Sequence, residues 1–428
     1  MMIKQSFIGL AKPRIEYEVL DAGQPEPQLI QPSEKITLFL EKSPVHNDSI
    51  LFNVGDKVKT GQKLSYSANP RTYVIATVTG TIASISAFDG DYGKSFTAIS
   101  IDVDENEETD NQFAQLAADP TLDTAMNFLS AIPGNPSFRV FSDTDKSIHT
   151  IIICGVDRDL LITTNQYAVK ANIKAIKSGV EILKQITGVD NILMAVPEHL
   201  MQEAIAGGTP VSVVASEYPA TLPHLMTQSL LGQVVPAGQN CEDLGVCFLS
   251  AEAVASIGKA FDEGRIPVTK TLTFINKNGD KFLISVRIGT PISEILNTYD
   301  VSLHEKDRLI VGGPLTGSAA YSADYPVQAD TDAVIVQDSE SIALVSDYPC
   351  INCGECIRIC PANIPINILV RFLEAGQYEE AADQYDLYSC IECGLCSYVC
   401  VSRMPVFHFI KLAKYELGRM HAAEAMNA

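Results

Sequence analysis

A repeated cysteine pattern near the carboxy terminus constrains the fold more than any other feature of the chain. Eight cysteines follow the spacing C-x2-C-x2-C-x3-C twice: Cys350, Cys353, Cys356, Cys360, Cys390, Cys393, Cys396 and Cys400. Three cysteines at intervals of three, in a loop that Gly354 or Gly394 makes tight, can place three thiolates at three corners of one [4Fe–4S] cluster. The fourth cysteine extends from the helix that follows and binds the other cluster. The pattern therefore predicts two neighbouring clusters.

This crossed arrangement gives each cluster four protein ligands. The first cluster is expected to bind Cys350, Cys353, Cys356 and Cys400. The second is expected to bind Cys390, Cys393, Cys396 and Cys360. Pro361 follows Cys360 whereas Val401 follows Cys400, and because neither is a ligand, the difference concerns only the local backbone. With no coordination site left for a substrate, such clusters pass single electrons between other redox sites.

Structural zinc is the competing interpretation, since zinc also takes tetrahedral sets of thiolates. Zinc sites are usually built from two C-x2-C pairs rather than two evenly spaced triplets, so the spacing favours iron and sulfide. A disulfide scaffold is disfavoured because the 11 cysteines are odd in number and eight lie between Cys350 and Cys400. Glu355 and Glu392 adjoin ligands, and their charges are expected to lower a cluster's potential.

The acidic composition excludes several classes of partner. A net charge of −21 disfavours binding to nucleic acid or to an anionic lipid surface. Apolar runs such as residues 151–154 are far shorter than the roughly 18 residues that a membrane span requires. Residues 1–6 carry no signal-peptide pattern, so we expect a cytoplasmic protein.

The amino-terminal residues 1–103 predict an all-β domain. Short β-prone runs broken by turn residues occur at residues 36–40, 73–76, 80–85 and 96–101. Residues 54–64 and 78–82 resemble the flattened barrel-sandwich fold of biotinyl and lipoyl domains. The acceptor lysine of those carriers does not lie between the two segments, so the resemblance concerns fold only. Residues 104–125 are polar and acidic and predict a solvated connector.

Residues 126–262 predict an α/β, Rossmann-like domain. Apolar strands at residues 150–154, 191–196 and 211–215 alternate with helical spacing at residues 167–187 and 199–206. Strands and helices that alternate at these lengths are typical of a parallel sheet.

Residues 263–340 predict a β-grasp domain of the SLBB type. Asn278-Gly279 is a hairpin signal between two β-prone runs, Pro291 lies in the first turn of a helix, and a strand follows at Arg308–Val311. The whole chain is thus predicted as a multidomain α/β and β protein.

Residues 341–428 predict an α-helical ferredoxin domain that holds both clusters. Helical spacing occurs between the cysteine runs, at residues 364–375 and 378–385. In the tail helix, residues 407–420, Lys411, Lys414 and Arg419 are expected to face solvent.

The order of these modules resembles the RnfC subunit of Rnf complexes, which are membrane-bound, ion-translocating electron-transfer assemblies. The match is best at residues 286–292, at residues 310–317, which include Gly312 and Gly317, and at the cysteine region. The amino-terminal part also resembles NqrA of sodium-pumping quinone reductases. The resemblance implies a subunit attached to the cytoplasmic side of the inner membrane through membrane-embedded and redox protein partners.

The resemblance also implies FMN and NADH, but one motif departs from the family. RnfC proteins carry a glycine-rich loop ahead of the first α/β strand, whereas residues 131–139 retain only Gly134. Residues 154–159 keep a polar, acidic turn of altered composition. Without the glycines, backbone amides cannot surround a phosphate there.

Three functions remain open at this point. The first is an electron-transfer subunit that relays electrons through two [4Fe–4S] clusters. The second is a soluble FMN-dependent NAD(P)H oxidoreductase of the RnfC-like cobalamin reductase type. The third is an interaction scaffold without redox activity. Cys154, Cys241 and Cys247 are expected to be buried apolar residues rather than ligands.

Overall fold

The structure is a computed structural model, and it describes residues 14–21, 23–31, 33–41, 50–66, 72–90, 94–342, 345–346 and 348–427. Residues 1–6, in which no signal peptide is expected, lie outside this range. The chain divides into two compact units. The larger contains residues 17–216 and 241–339, and the smaller contains residues 1–16, 217–240 and 340–428.

Seven short strands form the amino-terminal part of the larger unit: β1 (Gln28–Leu29), β2 (Lys35–Glu41), β3 (Lys57–Val58), β4 (Lys63–Ser65), β5 (Tyr73–Ile75), β6 (Gly80–Asp89) and β7 (Ser95–Val103). Antiparallel pairing gives a four-stranded sheet of order β2-β7-β6-β3, and β4 pairs with β5. Ile36, opposite Ile101 in the register, points into a core that also contains Leu64 and Val78. This all-β module was predicted.

The segment predicted as a solvated connector is more ordered than expected. It contains helix α1 (Gln112–Leu116), and helix α2 (Leu122–Phe128) begins within it. Phe113 is 2% exposed and packs on Phe128 and Phe261. Charge alone suggested a loop, but one buried aromatic ring fixes the segment onto the core.

A four-stranded parallel sheet follows, with order β10-β9-β8-β11. Its elements are β8 (Thr150–Cys154), α3 (Thr164–Thr187), β9 (Ile192–Val196), α4 (Met201–Ile205), β10 (Val211–Val213), β11 (Val246–Ser250) and α6 (Ala251–Glu263). Helix α5 (Pro223–Leu231) interrupts this order and belongs to the smaller unit.

Helices α3 and α6 lie in close contact because glycines face each other's backbone. A Cβ added at Gly258 would lie 2.0 Å from the Ala175 carbonyl oxygen, and one at Gly179 would lie 2.1 Å from the Val254 carbonyl oxygen. No larger residue fits at either position without separating the helices.

The third part of the larger unit is a six-stranded sheet of order β1-β13-β12-β16-β14-β15. Its further elements are β12 (Thr269–Ile275), β13 (Lys281–Arg287), α7 (Ile292–Thr298), β14 (Arg308–Val311), β15 (Ser318–Ala320) and β16 (Ala333–Gln337). The predicted hairpin turns at Asn278-Gly279, where Gly279 has a φ of 83°. Strand β16 runs parallel to β12, and Leu272 and Phe274 are buried beneath α7.

In the part of the smaller unit that the structure describes, the regular elements are helical. After α5 they are α8 (Glu355–Ile359), α9 (Ile366–Glu374), α10 (Tyr378–Gln384), α11 (Leu395–Tyr398) and α12 (Val406–Asn427). The helices predicted between the cysteine runs are therefore present, as α9 and α10. Leu369, Leu373 and Ile410 are buried in their common core.

Candidate iron–sulfur centre

The first predicted ligand set lines one pocket in the smaller unit. The wall contains Cys350, Cys353, Cys356 and Cys400, together with apolar side chains that include Val370 and Val406. The pocket holds about 370 Å³ of space outside the protein atoms, part of it continuous with solvent. Since one water occupies roughly 30 Å³ in the liquid, this space exceeds what a single metal ion needs.

Two loops of the same conformation present the cysteine triplets. Asn352 and Glu392 lie two residues after the first cysteine of each run, with φ of 59° and 57°. Gly354 and Gly394 follow at 76° and 73° and begin α8 and α11. Left-handed backbone at matching positions turns each loop tightly, so the repeat in the sequence is also a repeat in structure.

Electrostatic coupling follows the predicted sets. Burial raises the pKa of the Cys356 thiol to about 11, and the nearby Cys353, Cys350 and Cys400 add to the effect. Burial likewise raises the pKa of the Cys393 thiol to about 12; there Cys390 and Cys360 add to the effect. The four thiols of each set therefore lie near one another, and a bound cationic cluster would convert them to thiolates.

The two sets differ in exposure. Cys353 is exposed, whereas Cys360, Cys393 and Cys396 are 8%, 8% and 6% exposed. Water therefore reaches the first set more easily than the second.

The donor chemistry fits clusters better than single ions. Among the described residues, no three His, Cys, Asp or Glu side chains are grouped as a site for one metal ion. Two backbone amides donate to cysteine sulfurs: that of Glu392 to Cys390 Sγ and that of Met404 to Cys400 Sγ, each at 3.4 Å. Such bonds are typical of iron–sulfur sites, where they stabilise negative charge on sulfur.

Two residues that the sequence did not single out contact the second set. The Tyr218 hydroxyl donates to the Cys393 carbonyl at 2.6 Å. Lys414 Nζ donates to the Cys390 carbonyl at 2.7 Å and to Glu392 Oε1 at 2.8 Å. The prediction that Lys414 faces solvent is wrong, since its side chain is 22% exposed. Helical spacing places Lys414 on a polar face but does not reveal which loop packs there.

The Gly312–Gly317 string has a partner within the larger unit. The amides of Leu315 and Thr316 donate to Asp159 Oδ2 at 3.1 and 2.7 Å, and the Thr316 hydroxyl donates at 2.7 Å. A Cβ on Gly313 would lie 2.2 Å from Asp159 Cγ. Backbone amides of the kind that bind phosphate elsewhere thus already bind a carboxylate of this chain.

Nearby carboxylates lie at the carboxyl ends of the parallel strands, where ligands bind in many α/β folds. Asp157 and Asp159 follow β8 and are 3% and 2% exposed. Burial raises the pKa of Asp157 to about 7. A phosphate at this edge would meet buried carboxyl groups and amides that are already bonded, so these residues do not fit FMN or NADH phosphate.

The remaining cysteines lie in the larger unit. Cys154 and Cys247 lie on neighbouring parallel strands, and both are 3% exposed, as is Cys241. Burial raises the pKa of Cys154 to about 11 and that of Cys247 to about 12. These protonated thiols are buried, as the sequence predicted.

Comparisons with known proteins define first a class. A family model described as a 4Fe–4S dicluster domain matches residues 342–401, so the helical cysteine region is an iron–sulfur domain of this kind. A second, described as the RnfC barrel sandwich hybrid domain, matches residues 24–106. Both ends of the chain are therefore assigned to the fold that the sequence predicted.

Relatives then specify the resemblance. The RnfC-type component of the ion-translocating oxidoreductase complex of Buchnera aphidicola is 25% identical over 83% of this chain and 78% of its own. The corresponding component of the proton-translocating ferredoxin:NAD(+) oxidoreductase complex of Clostridium ljungdahlii is 25% identical over 78% of this chain and 77% of its own. The predicted resemblance to RnfC subunits is confirmed.

A solved NAD+-reducing [NiFe]-hydrogenase in the H2-reduced state covers 72% of this chain and 63% of its own at 13% identity and a TM-score of 0.46, which is too low to support an argument. In the described part of the chain, no helix has the length and apolar character needed to cross a membrane.

Proposed function

We propose that this protein is an electron-transfer subunit of an Rnf-type oxidoreductase complex. When bound, two [4Fe–4S] clusters would supply single-electron transfer without substrate chemistry. The observation that carries the proposal is the repeated cysteine loop inside a matched 4Fe–4S dicluster domain. The similarity to RnfC-type components of ion-translocating complexes supports the assignment to such an assembly.

We infer the crossed ligand assignment for the two clusters. Cys350, Cys353, Cys356 and Cys400 hold the first, and Cys390, Cys393, Cys396 and Cys360 hold the second. The shared pocket of the first set and the mutual influence of Cys390, Cys393 and Cys360 support this assignment.

Around the clusters, we propose the domain plan inferred from the sequence. Residues 1–103 form the barrel-sandwich domain, residues 104–125 connect it to the next, residues 126–262 are Rossmann-like, and residues 263–340 are a β-grasp domain of the SLBB type. The ferredoxin domain follows at residues 341–428. The parallel strands β8 to β11, and the hairpin with β16 beside β12, support the two central assignments.

Electrons reach this subunit from another redox protein rather than from NADH through a flavin bound at the Gly312–Gly317 loop. The Asp159 carboxylate on those amides supports this view. The same observation disfavours the soluble FMN-dependent reductase. The partners are then the membrane-embedded and redox subunits of the complex, which attach this chain to the cytoplasmic side of the membrane.

Anaerobic purification with iron, sulfide and flavin analysis tests the proposal. We expect about eight irons per chain from two cubanes and no stoichiometric FMN. Zinc in place of iron, or metal-free protein, would support a structural site or the scaffold instead. Flavin together with bleaching of cluster absorbance by NADH would restore the reductase.

Double variants test the crossed ligands. Cys353→Ser with Cys400→Ser removes two ligands of one cluster, so about four of the eight irons remain. Cys353→Ser with Cys360→Ser damages both clusters, and almost none remain. If each run of four cysteines bound its own cluster, the two results would be exchanged. Cys154→Ser, a buried thiol in the larger unit, is the control and keeps all the iron.

A further inference from the structure

The two cysteine loops have the same backbone but different charges at one matching position. In the first loop, Asn352 Oδ1 accepts a hydrogen bond from Asn367 Nδ2 at 2.6 Å. In the second, Glu392 Oε1 accepts one from Lys414 Nζ at 2.8 Å. A neutral pair in one half of the repeat is thus an ion pair in the other.

Lys414 also bonds directly to the backbone of a cluster ligand. Its Nζ lies 2.7 Å from the carbonyl oxygen of Cys390. The Lys414 side chain is 22% exposed and that of Glu392 is 44% exposed. Because water screens the carboxylate more than the ammonium, the positive charge has the larger effect on the protein side of the loop.

A positive charge in this place acts on cluster reduction. Reducing a [4Fe–4S] cluster adds one negative charge, and burial of Cys360, Cys393 and Cys396 makes that addition costly at the second site. A nearby ammonium group offsets the cost by attracting the added electron. The first site, with Cys353 exposed, has solvent to do the same.

On the basis of the function proposed above, we propose that Lys414 raises the reduction potential of the buried second cluster selectively. It tunes the cluster through the Cys390 carbonyl and is not a ligand. Removing its charge would shift the sharing of one electron between the clusters about tenfold towards the first, equivalent to 59 mV for a one-electron couple.

Potentiometric titration of the full-length, anaerobically purified chain tests this, with EPR as the readout. Lys414→Met keeps the length of the side chain without its charge, and we expect one cluster midpoint to fall by about 59 mV while the other is unchanged. Lys414→Arg should restore the midpoint. Lys411→Met is the control on the same helix, where Lys411 Nζ lies 5.4 Å from the Phe407 ring, and no shift is expected.

The affected cluster is identified in the Cys353→Ser, Cys400→Ser background, which retains only the second cluster. Unchanged midpoints in Lys414→Met overturn the inference. If that variant loses iron, Lys414→Gln keeps a donor for the Cys390 carbonyl without the charge, and an unshifted midpoint there overturns it equally. Failure of the wild-type chain to bind about eight irons would instead contradict the proposed function itself.

Discussion

Lys270 has a fully buried ammonium group between two carboxylates of the larger unit. It forms ion pairs with Glu252 and with Asp332, the latter at 2.8 Å. Burial alone would lower the pKa of Lys270, but Asp332 and Glu252 outweigh it and hold the pKa above its ordinary value. Because these residues come from α6, from β12 and from the loop before β16, the pair joins the parallel layer to the six-stranded sheet.

We therefore expect Lys270→Met to destabilise the larger unit by about 3–5 kcal/mol, since Glu252 would keep a buried charge without a partner. Urea unfolding followed by circular dichroism measures the change. Lys281→Met is the control, because its pair with Glu18 is 37% and 31% exposed and such pairs contribute about 0–1 kcal/mol. Equal effects of the two variants would contradict this argument.

Asp307 makes stability depend on pH. Its carboxylate accepts from Lys277 Nζ at 2.5 Å and from the backbone amides of His304 and Ser339 at 2.6 and 2.9 Å. The Lys277 hydrogen bond, with those amides, holds the pKa of Asp307 well below its ordinary value. A carboxyl group with a lowered pKa in the folded state stabilises the protein above its unfolded pKa and loses that contribution as pH falls.

Asp307→Asn should consequently lower the melting temperature at pH 7. The difference from wild type should narrow as pH falls below about 4, the unfolded pKa of aspartate. Melting curves between pH 3 and 7 measure it. A difference that stays constant over this range would show that the lost charge is not the cause.

Side-chain partners at this scale could not be predicted from the sequence. Lys414 and Tyr218 contact the second ligand set from distant positions in the chain, and nothing in their neighbouring residues indicates it. The cysteines differ because their regular spacing itself encodes the geometry of a cluster. Ligand residues were therefore predictable, whereas the residues around them were not.

At the level of helices and strands, the contact between α3 and α6 depends on Gly258. Its missing side chain leaves room for the Ala175 carbonyl, which a Cβ would approach to 2.0 Å. Gly258→Ala should destabilise the larger unit by about 1–3 kcal/mol through overpacking, as measured by thermal unfolding. Gly418→Ala in α12 is the matched control, because no atom lies within 4 Å of its added Cβ, and we expect it to be neutral or stabilising.

Elements with strong local signals were predicted well. The strand Arg308–Val311 was predicted with the bounds that the structure has, and the Asn278-Gly279 turn joins β12 to β13. The acidic segment, residues 104–125, was predicted less well. Its average polarity concealed Phe113, and the pairing of Glu107 with Arg287 at 2.7 Å depends on a strand far along the chain.

Across the whole molecule, the sequence order differs from the compact units. Residues 217–240 lie within the segment predicted as Rossmann-like, yet they belong to the smaller unit. Tyr218 donates to the Cys393 carbonyl, and the Gly238 amide donates to the Tyr388 carbonyl at 3.3 Å. Sequence patterns reflect neighbours along the chain, so an excursion of this kind leaves no signal in them.

This organisation predicts that iron removal loosens two distant stretches together. Cluster ligands order the smaller unit, so chelation should increase hydrogen exchange in residues 217–240 as well as in residues 348–420. Exchange in β8, β9 and β11 of the larger unit should stay unchanged. Mass spectrometry of the iron-loaded and chelated chain measures both. Residues 217–240 that exchange like the parallel strands would contradict the shared unit.

The unequal exposure of the two ligand sets also determines how the protein would fail in air. Cys353 is open to solvent, while Cys360, Cys393 and Cys396 are enclosed. Oxygen and peroxide attack where they can reach, so damage begins at the first cluster and the second outlasts it. A briefly aerated sample would then be a half-loaded protein of uniform composition, brown but unable to complete the relay.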